Sequence, residues 1–376
     1  MWFWVAAIAV AAAAVWIAAA LSGMPGALED FEVYRRAAWD VRQGASVYVT
    51  HLDQLTYEYF PWLAVAMVPF TWIDERTGGA IWTMGVCGAI VAAVWLSARL
   101  ADTREMTPRH WMLVAAFVPL AWAELLEGQV NAMMMAAALA GALALRRGRG
   151  TQAAAWFVAA ALIKPNALIF LPWLCLVHRR VGVAVVATLA VLLAVAGAVL
   201  PGATVIDWSR RVWIDSLERV TEPPNVSIGM WATRLTDGHA AAAVLAAVLL
   251  ALLGVVIACF VLRRPAGATT GDAADIALLC VAMPLISPQA WFGQFLLAIP
   301  AAVLIAERWP HLRPRDRAIF ATTMLLMCGS ATILEITGSQ FVIDNVSLAM
   351  TLAAPGTIWV LTVTRAEGKG QRAEAR

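Results

Sequence analysis

The sequence has 376 residues, of which 62% are hydrophobic and 14% charged, and its mean hydropathy is +0.75. A soluble domain has about 45–50% apolar and about 25% charged residues, so the composition excludes a soluble globular protein and favours one that lies in a bilayer. The formal net charge is only +2. Since no basic run alternates with aromatic residues, no nucleic-acid partner is indicated.

Apolar segments recur along the whole chain, and about 20 residues of helix cross about 30 Å of hydrocarbon. Twelve candidate spans follow in chain order: Trp2–Leu21, Gly79–Leu96, Trp111–Leu126, Val130–Leu145, Ala153–Ile163, Ala167–Val177, Val181–Leu200, Ala240–Leu262, Ile276–Ile286, Trp291–Ile305, Ala318–Leu334 and Leu348–Val363. Another run, Pro61–Ile73, reaches only about 20 Å as a helix and is predicted to be partial or re-entrant. The sequence therefore predicts an all-α, polytopic membrane protein of about 12 transmembrane helices.

The basic loops indicate the orientation, because short loops rich in Lys and Arg stay in the cytoplasm. Those loops are Arg99–Arg109, Arg146–Arg149, His178–Arg180, Arg263–Arg264 and Glu307–Arg317. The connections predicted to face outward are Gly23–Tyr59, Glu127–Gln129, Lys164–Asn166, Pro201–His239, Ser287–Gln289 and Glu335–Asn345. This topology gives one transmembrane domain over residues 1–364, long outer loops at 23–59 and 201–239, and a disordered cytoplasmic tail at 365–376.

The first long outer loop is predicted to contain an amphipathic helix. Phe31, Tyr34, Ala38 and Val41 share one side at helical spacing, as in helices that lie at a membrane surface. Asp30 is in the same run. A carboxyl in a desolvated pocket can act as a general base, and the alternative is a solvated helix face.

Three further polar clusters stand at predicted outer turns. The amides of Gln129 and Asn131 are suited to sugar hydroxyls, or alternatively to a helix start. Lys164 precedes a proline between two short apolar runs, where it could neutralise a phosphate or snorkel to the surface. The third cluster holds Asn225, Ser227 and Arg234, and an arginine can bind a phosphate through two parallel hydrogen bonds, although an ordinary surface loop is the alternative.

Other signals of catalysis are weak. A helix starts near Ser287-Pro288-Gln289-Ala290-Trp291, with Gln294 about one turn further on. His51 and His239 are isolated from other ligand types, and the cysteines are spread through apolar stretches. We therefore predict no metal and no other cofactor, although the outer carboxylate cluster around Asp30 could bind a divalent ion as an alternative.

The ordered set of motifs resembles the polyprenol-phosphate-sugar-dependent glycosyltransferases of family 87, within the GT-C superfamily. The resemblance extends from about residue 30 to residue 294. The matching stretches are Asp30-Phe31-Glu32-Val33-Tyr34 with Ala37-Ala38, Gly44 and Tyr48, then Tyr59-Phe60-Pro61 with Pro69, Gly128-Gln129-Val130-Asn131, Lys164-Pro165, Asn225 with Ser227 and Arg234-Leu235, and Ser287-Pro288 with Trp291. Members of the family often carry a histidine where this chain reads Phe292-Gly293-Gln294, and a glutamine where Val226 stands.

The resemblance implies a GT-C-like membrane hexosyltransferase with an extracytoplasmic active site. It implies that Asp30 is the catalytic base and that the donor is a polyprenyl-phosphate sugar, with mannose favoured and with a glycolipid or glycan as the acceptor. We expect Lys164 and Arg234 to bind the donor phosphate and the configuration of the sugar to be inverted. The residues expected to bind sugar or acceptor are Tyr34, Gln129, Asn131, Asn225, Ser227 and Gln294.

Two alternatives remain at the level of the sequence. Many spans and a lysine near the membrane would also suit a transporter or a flippase of lipid-linked sugars, although the polar motifs gather at one predicted face rather than through the midplane. The glutamine at position 294, where relatives often have histidine, would suit a catalytically inactive relative.

Overall fold

The computed structural model describes residues 2–48, 55–202, 205–215, 225, 227–236, 239–262, 271–329, 356–358 and 360–361. Within these ranges the chain forms helices and no strand, which confirms the all-α prediction. The α-helices are α1 (Trp2–Leu21), α2 (Glu29–Arg42), α3 (Pro61–Met67), α4 (Glu75–Leu100), α5 (Pro108–Ala116), α6 (Val118–Glu127), α7 (Asn131–Arg146), α8 (Gly150–Ile163), α9 (Phe170–Val177), α10 (Arg179–Val199), α11 (Val205–Ser209), α12 (Ile228–Leu235), α13 (His239–Leu262), α14 (Gly271–Ile286), α15 (Ile299–Arg308) and α16 (Pro314–Met324).

Several of these helices are suited to a membrane. In the described ranges, four helices or helical stretches are long and apolar enough to cross it: Glu75–Leu100, Arg179–Val199, Ala241–Cys259 and Phe292–His311. The pair α5 and α6, bent by 44° at its break, would make a fifth. The chain is thus a helical membrane protein, and the figure of about 12 spans stays a prediction.

Prolines and short 3₁₀ turns break the remaining apolar segments. The run predicted to be partial forms α3 and continues as a 3₁₀ turn over Val68–Trp72. Another 3₁₀ turn, Pro165–Ile169, separates α8 from α9, because proline cannot donate the backbone hydrogen bond that a continuous helix needs. These breaks place polar residues at the ends of apolar helices.

Helix α7 is at the centre of the molecule and packs against α4 and α8. Its buried residues are mostly alanine, methionine and leucine, with Met134, Met135 and Leu139 almost entirely excluded from solvent. A Cβ at Gly141 would lie only 2.9 Å from the ring of Phe157, so glycine lets α8 approach closely. The tight packing fixes the start of α7, where two candidate site residues lie.

The predicted amphipathic helix is α2, and its apolar face packs against α3 and the 3₁₀ turn that follows. Phe31 is the buried anchor, with its ring centroid 5.6 Å from those of Phe70 and Trp82. Leu28 precedes the helix with φ of 63°, and its N–H donates to the carbonyl of Leu126 at 2.6 Å. The first turn of α2 is thereby fixed against the end of α6.

Some predictions lie outside the described residues. They concern the outer turn Glu335–Asn345, most of the span Leu348–Val363, the basic pair Arg263–Arg264, position 226 and the tail 365–376. The division into one domain of residues 1–364, with long outer loops at 23–59 and 201–239, also stays a prediction.

Candidate active site

A cavity of about 400 Å³ opens where the predicted outer turns meet. Asp30, Gln129, Lys164 and Gln294 all line it, together with the turn that contains Ser287. These residues come from five separate parts of the chain. The structure therefore brings together side chains that the sequence placed on one side of the membrane.

Asp30 is half-buried in the first turn of α2, and its carboxyl faces the cavity. Its Oδ2 accepts a hydrogen bond from Nε2 of Gln129. Burial raises the pKa of Asp30 to about 7, while the nearby ammonium of Lys164 acts in the opposite direction. A carboxyl with this pKa exchanges its proton near neutral pH, which is the range in which a general base is most effective.

The turn between α6 and α7 holds Gln129 in place. Gly128 adopts φ of +71°, and a Cβ there would lie 3.2 Å from the Cβ of Phe31, so glycine satisfies both the left-handed backbone and the close approach of α2. The indole Nε1 of Trp82 donates to the carbonyl of Gly128 at 2.8 Å. The turn is therefore clamped between α2 and α4.

Lys164 is buried at the break between α8 and the 3₁₀ turn, with 7% of its surface exposed. Its Nζ donates to Oε1 of Gln129 at 3.1 Å and to Oδ1 of Asn131 at 2.8 Å. Nζ also lies 5.9 Å from the ring centroid of Tyr59. Burial lowers the pKa of Lys164, and the carboxylates around it, Asp30 first, raise it.

Glu124 is a member of this network that the sequence prediction missed. The side chain is fully buried in α6. Its Oε2 accepts from Nδ2 of Asn131 at 2.7 Å, and its Oε1 accepts from the backbone N–H of Ala132 at 2.8 Å. The available signal was a carboxylate inside an apolar helical run, where a charge is costly and usually has a function.

The charges of the cavity are unequal in number. Lys164 is the basic side chain among the described lining residues, whereas the acidic ones are Glu29, Asp30, Glu58 and Glu127. Lys164 reaches Asp30 and Glu124 through the amides of Gln129 and Asn131. An ammonium has three N–H donors, so one remains beyond the two amide bonds.

Asn225 and Ser227 lie beside the cavity and bond to its wall. Nδ2 of Asn225 donates to the carbonyl of Pro288 at 2.8 Å, and its Oδ1 accepts from the N–H of Ala290 at 3.0 Å. The hydroxyl of Ser227 donates to the same Pro288 carbonyl at 3.2 Å and accepts from the N–H of Met230 at the start of α12. These polar groups brace the turn that lines the cavity, and a direct role in sugar binding stays a prediction.

Gln294 lines the cavity while only 2% of its surface is exposed. Its Nε2 donates to the carbonyl of Gln289 at 3.4 Å. Its Oε1 is buried without a hydrogen-bond partner in the described part of the chain. A buried acceptor of this kind favours a ligand that carries a hydroxyl or an N–H.

Tyr34 does not itself line the cavity, because it is fully buried behind Tyr59 and donates its hydroxyl to that of Tyr59 at 3.0 Å. Tyr57 lies 5.6 Å from Tyr59 between ring centroids, and Tyr48 donates to the carbonyl of Tyr59 at 2.9 Å. The chain contains four tyrosines. All of them form this cluster, and Tyr59 is the member that lines the cavity.

Two further predictions concern Arg234 and metals. The backbone of Arg234 is in α12, but its side chain lies outside the described residues. Among the residues that the structure describes, no three His, Cys, Asp or Glu side chains are grouped to hold a metal ion. Both the role of Arg234 and the independence from metals stay predictions.

In a comparison with protein families, the chain matches the model described as Glycosyltransferase family 87 over residues 57–288. The match covers more than half of the chain and includes Gln129, Lys164 and Asn225. Asp30 and Gln294 lie outside it, and the structure connects them to it through the cavity. No curated protein matches the chain.

Proposed function

Because the chain belongs to glycosyltransferase family 87 and is therefore a membrane glycosyltransferase, we propose that it transfers a hexose from a polyprenyl-phosphate donor to an extracytoplasmic acceptor with inversion. Mannose is the proposed sugar, and a glycolipid or glycan is the proposed acceptor. The protein is proposed to be multi-pass, GT-C-like and active without a metal or other cofactor.

One observation supports this proposal more than any other. A carboxyl with a pKa of about 7 and a buried ammonium bind the same glutamine side chain at the wall of one cavity. Transfer from a lipid phosphate needs a base for the acceptor hydroxyl and a cation for the leaving phosphate. Asp30 and Lys164 supply one of each within reach of a single phosphosugar.

The proposed reaction is one displacement at the anomeric carbon. The acceptor oxygen forms the new bond to this carbon, the bond to the phosphate oxygen breaks, and polyprenyl phosphate leaves as an anion. The proton of the acceptor hydroxyl passes to the Asp30 carboxylate. Attack from the face opposite to the leaving group inverts the configuration.

Lys164 is proposed to stabilise the leaving phosphate with the N–H that is not bonded to an amide, because a fixed positive group next to developing negative charge lowers the barrier. Arg234 is proposed as a second phosphate ligand. Gln129 and Asn131 hold the ammonium in position, and Gln294, with its buried Oε1, is proposed to accept a hydrogen bond from a sugar hydroxyl.

Apolar residues on another wall of the cavity suit the lipid part of the donor. Leu168, Ile169, Met283 and Ile286 line that wall, and Ile286 is exposed. A polyprenyl chain gains about 0.8 kcal/mol for each buried methylene. The donor is therefore proposed to lie with its tail along these residues and its phosphate at Lys164.

The central experiment is the transfer activity of purified enzyme with polyprenyl-phosphate mannose and a membrane glycolipid fraction. We expect Asp30→Asn to lower kcat by about 100- to 10,000-fold, because that is the usual contribution of a general base. Glu105→Gln, at an exposed position away from the cavity, is the matched control and should retain full activity. Activity of Asp30→Asn within tenfold of the unmodified enzyme would exclude Asp30 as the base.

The same assay tests the sugar and the alternatives. Polyprenyl-phosphate glucose and arabinose, offered in parallel, identify the sugar by which donor is consumed. Release of polyprenyl phosphate without transfer would show hydrolysis. Movement of the lipid-linked sugar across liposomes without a covalent product would instead support a flippase.

A further inference from the structure

Glu124 is fully buried and does not line the cavity, whereas Asp30, the proposed base, does. Its two oxygens accept from the Asn131 amide and from the Ala132 backbone. The second bond is an ordinary stabilising contact, since Ala132 is in the first turn of α7 and a carboxylate there satisfies an unpaired N–H and favours the helix dipole. The first bond has a consequence for the active site.

Glu124 determines which way the Asn131 amide points. A carboxylate accepts hydrogen bonds and an ammonium only donates them, so the amide must turn its NH₂ to Glu124 and its oxygen to Lys164. The distances, 2.7 Å and 2.8 Å, agree with this orientation. Gln129 is oriented by the same logic between Lys164 and Asp30.

The ammonium of Lys164 is therefore between two carboxyl groups, and an amide separates it from each. Asp30 faces the cavity, whereas Glu124 is fully buried. A buried lysine without a nearby negative charge is costly and tends to lose its proton. The other carboxylates that raise the pKa of Lys164 are Asp30 and Glu58, and both line the cavity. If these were its only counter-charges, each protonation of Asp30 during catalysis would weaken the lysine that holds the phosphate.

We propose that Glu124 is a positioning residue of the active site, the interior counter-charge that holds the Lys164 ammonium and the Asn131 amide in place while Asp30 gains and loses its proton. This inference rests on the proposed glycosyl transfer. It divides the work between two carboxyl groups: Glu124 holds Lys164 and Asn131 from the interior, and Asp30 exchanges a proton with the acceptor.

The pH profile of Glu124→Gln distinguishes this role from capping alone. Negative charge at position 124 raises the pKa of Asp30 and that of Lys164, so its removal should lower both. The acid limb of kcat/KM, set by Asp30, and the alkaline limb, set by Lys164, should each move by roughly one unit to lower pH. A residue that only caps α7 would reduce activity without moving either limb.

Glu127→Gln is the matched control. Glu127 raises the pKa of Asp30 but is not among the charges that act on Lys164. The control should therefore move the acid limb alone. If Glu124→Gln moves neither limb, or moves only the acid limb as the control does, the proposal is overturned.

A double-mutant cycle of unfolding temperatures tests the same inference without a substrate. Its result therefore does not depend on whether the proposed glycosyl transfer is correct. Glu124→Gln should lower the unfolding temperature in detergent by several degrees. In the double variant Glu124→Gln with Lys164→Met, at least half of that loss should be recovered, because the uncompensated charge is gone. Losses that add in the double variant contradict the proposal.

If Glu124→Gln cannot be recovered from membranes, the amount of the double variant in membranes tests the proposal instead. Recovery of the double variant in membranes at close to the unmodified level supports the charge pair. Absence of the double variant as well would show that Glu124 is required for the fold rather than for Lys164.

Discussion

The two ends of the helices treat charge differently. At the cavity end, where Asp30 and Lys164 lie, amide side chains stand between the cation and the carboxyl groups. At the opposite end, the contacts are direct: Arg146 forms an ion pair with Asp102 at 2.6 Å, and Nε2 of His178 is hydrogen-bonded to Oδ1 of Asp272 at 3.0 Å. Helix α7 joins the two ends, since it begins at Asn131 and ends at Arg146.

The difference indicates what each end is for. A direct pair satisfies both charges and fastens two helix ends, as Arg146 does by also donating to the carbonyls of Arg99 and Leu100. An amide between two charges holds them in place without neutralising them fully, so both can still act on a ligand. Charge inside the cavity is therefore arranged for chemistry, and charge at the opposite end for stability.

The largest expected effect that tests this contrast is that of Lys164→Met. The change removes the charge but keeps an unbranched side chain, and it should lower kcat/KM by roughly 100-fold or more, because the leaving phosphate loses its cation. Arg146→Met, at the opposite end, should lower the unfolding temperature and keep kcat/KM. Transfer activity and thermal unfolding are measured for both variants. A similar loss of kcat/KM in both would contradict the proposed difference between the two ends.

The second effect is a dependence on pH. Asp30 acts as a base only when ionised, and its pKa is about 7, so the acid limb of kcat/KM should lie near pH 7. At pH 6 the rate should be about tenfold below the plateau. His178→Gln should leave the limb in place, because that histidine pairs at the opposite end. A flat profile from pH 5 to 8 would contradict a raised pKa.

A smaller effect is expected at Gln294. Its buried Oε1 has no hydrogen-bond partner among the described residues and is proposed to accept from a sugar hydroxyl. Gln294→Leu should therefore raise the KM for the sugar donor or the acceptor by roughly 3- to 10-fold, the value of one hydrogen bond. Gln294→His keeps a polar ring at this position and should lose less. Unchanged kinetics in the leucine variant would remove Gln294 from the binding site.

The smallest effect is expected from Asp102→Asn. Asp102 has φ of 59°, a conformation that asparagine tolerates, so the change breaks the ion pair without straining the backbone. The Asp102 side chain is 55% exposed, and such a pair contributes about 0.2–1 kcal/mol or less. The unfolding temperature should fall slightly at low salt, with kcat/KM unchanged. A kinetic defect would show that the two ends are coupled.

Much of this arrangement could be predicted from the sequence. Apolar runs locate the helices because a membrane protein must satisfy its backbone within each helix, and the break at Lys164-Pro165 follows from proline. The sidedness of the basic loops placed Asp30, Gln129 and Lys164 at the same face before any fold was known. The cavity then confirmed that they meet.

The partners of individual polar groups could not be predicted. The sequence shows that Asn225 is an amide in an outer loop, but its bond to Pro288, 63 residues away, depends on how the loops fold over one another. Glu124 stands out in the sequence as a carboxylate in an apolar run, but its bond to Asn131, and through Asn131 its link to Lys164, could not be predicted from that run. Such contacts belong to tertiary packing and leave no local pattern.

The tyrosine cluster has a practical consequence. Since Tyr59 lines the cavity and the other three tyrosines pack around it, biosynthetic incorporation of fluorotyrosine would place every ¹⁹F nucleus of the protein in one cluster next to the site. The resonance of Tyr59 would then report on occupancy of the cavity, with no tyrosine background from helices outside the cluster. The composition of this chain thus supplies a spectroscopic probe for ligand screening without any engineered label.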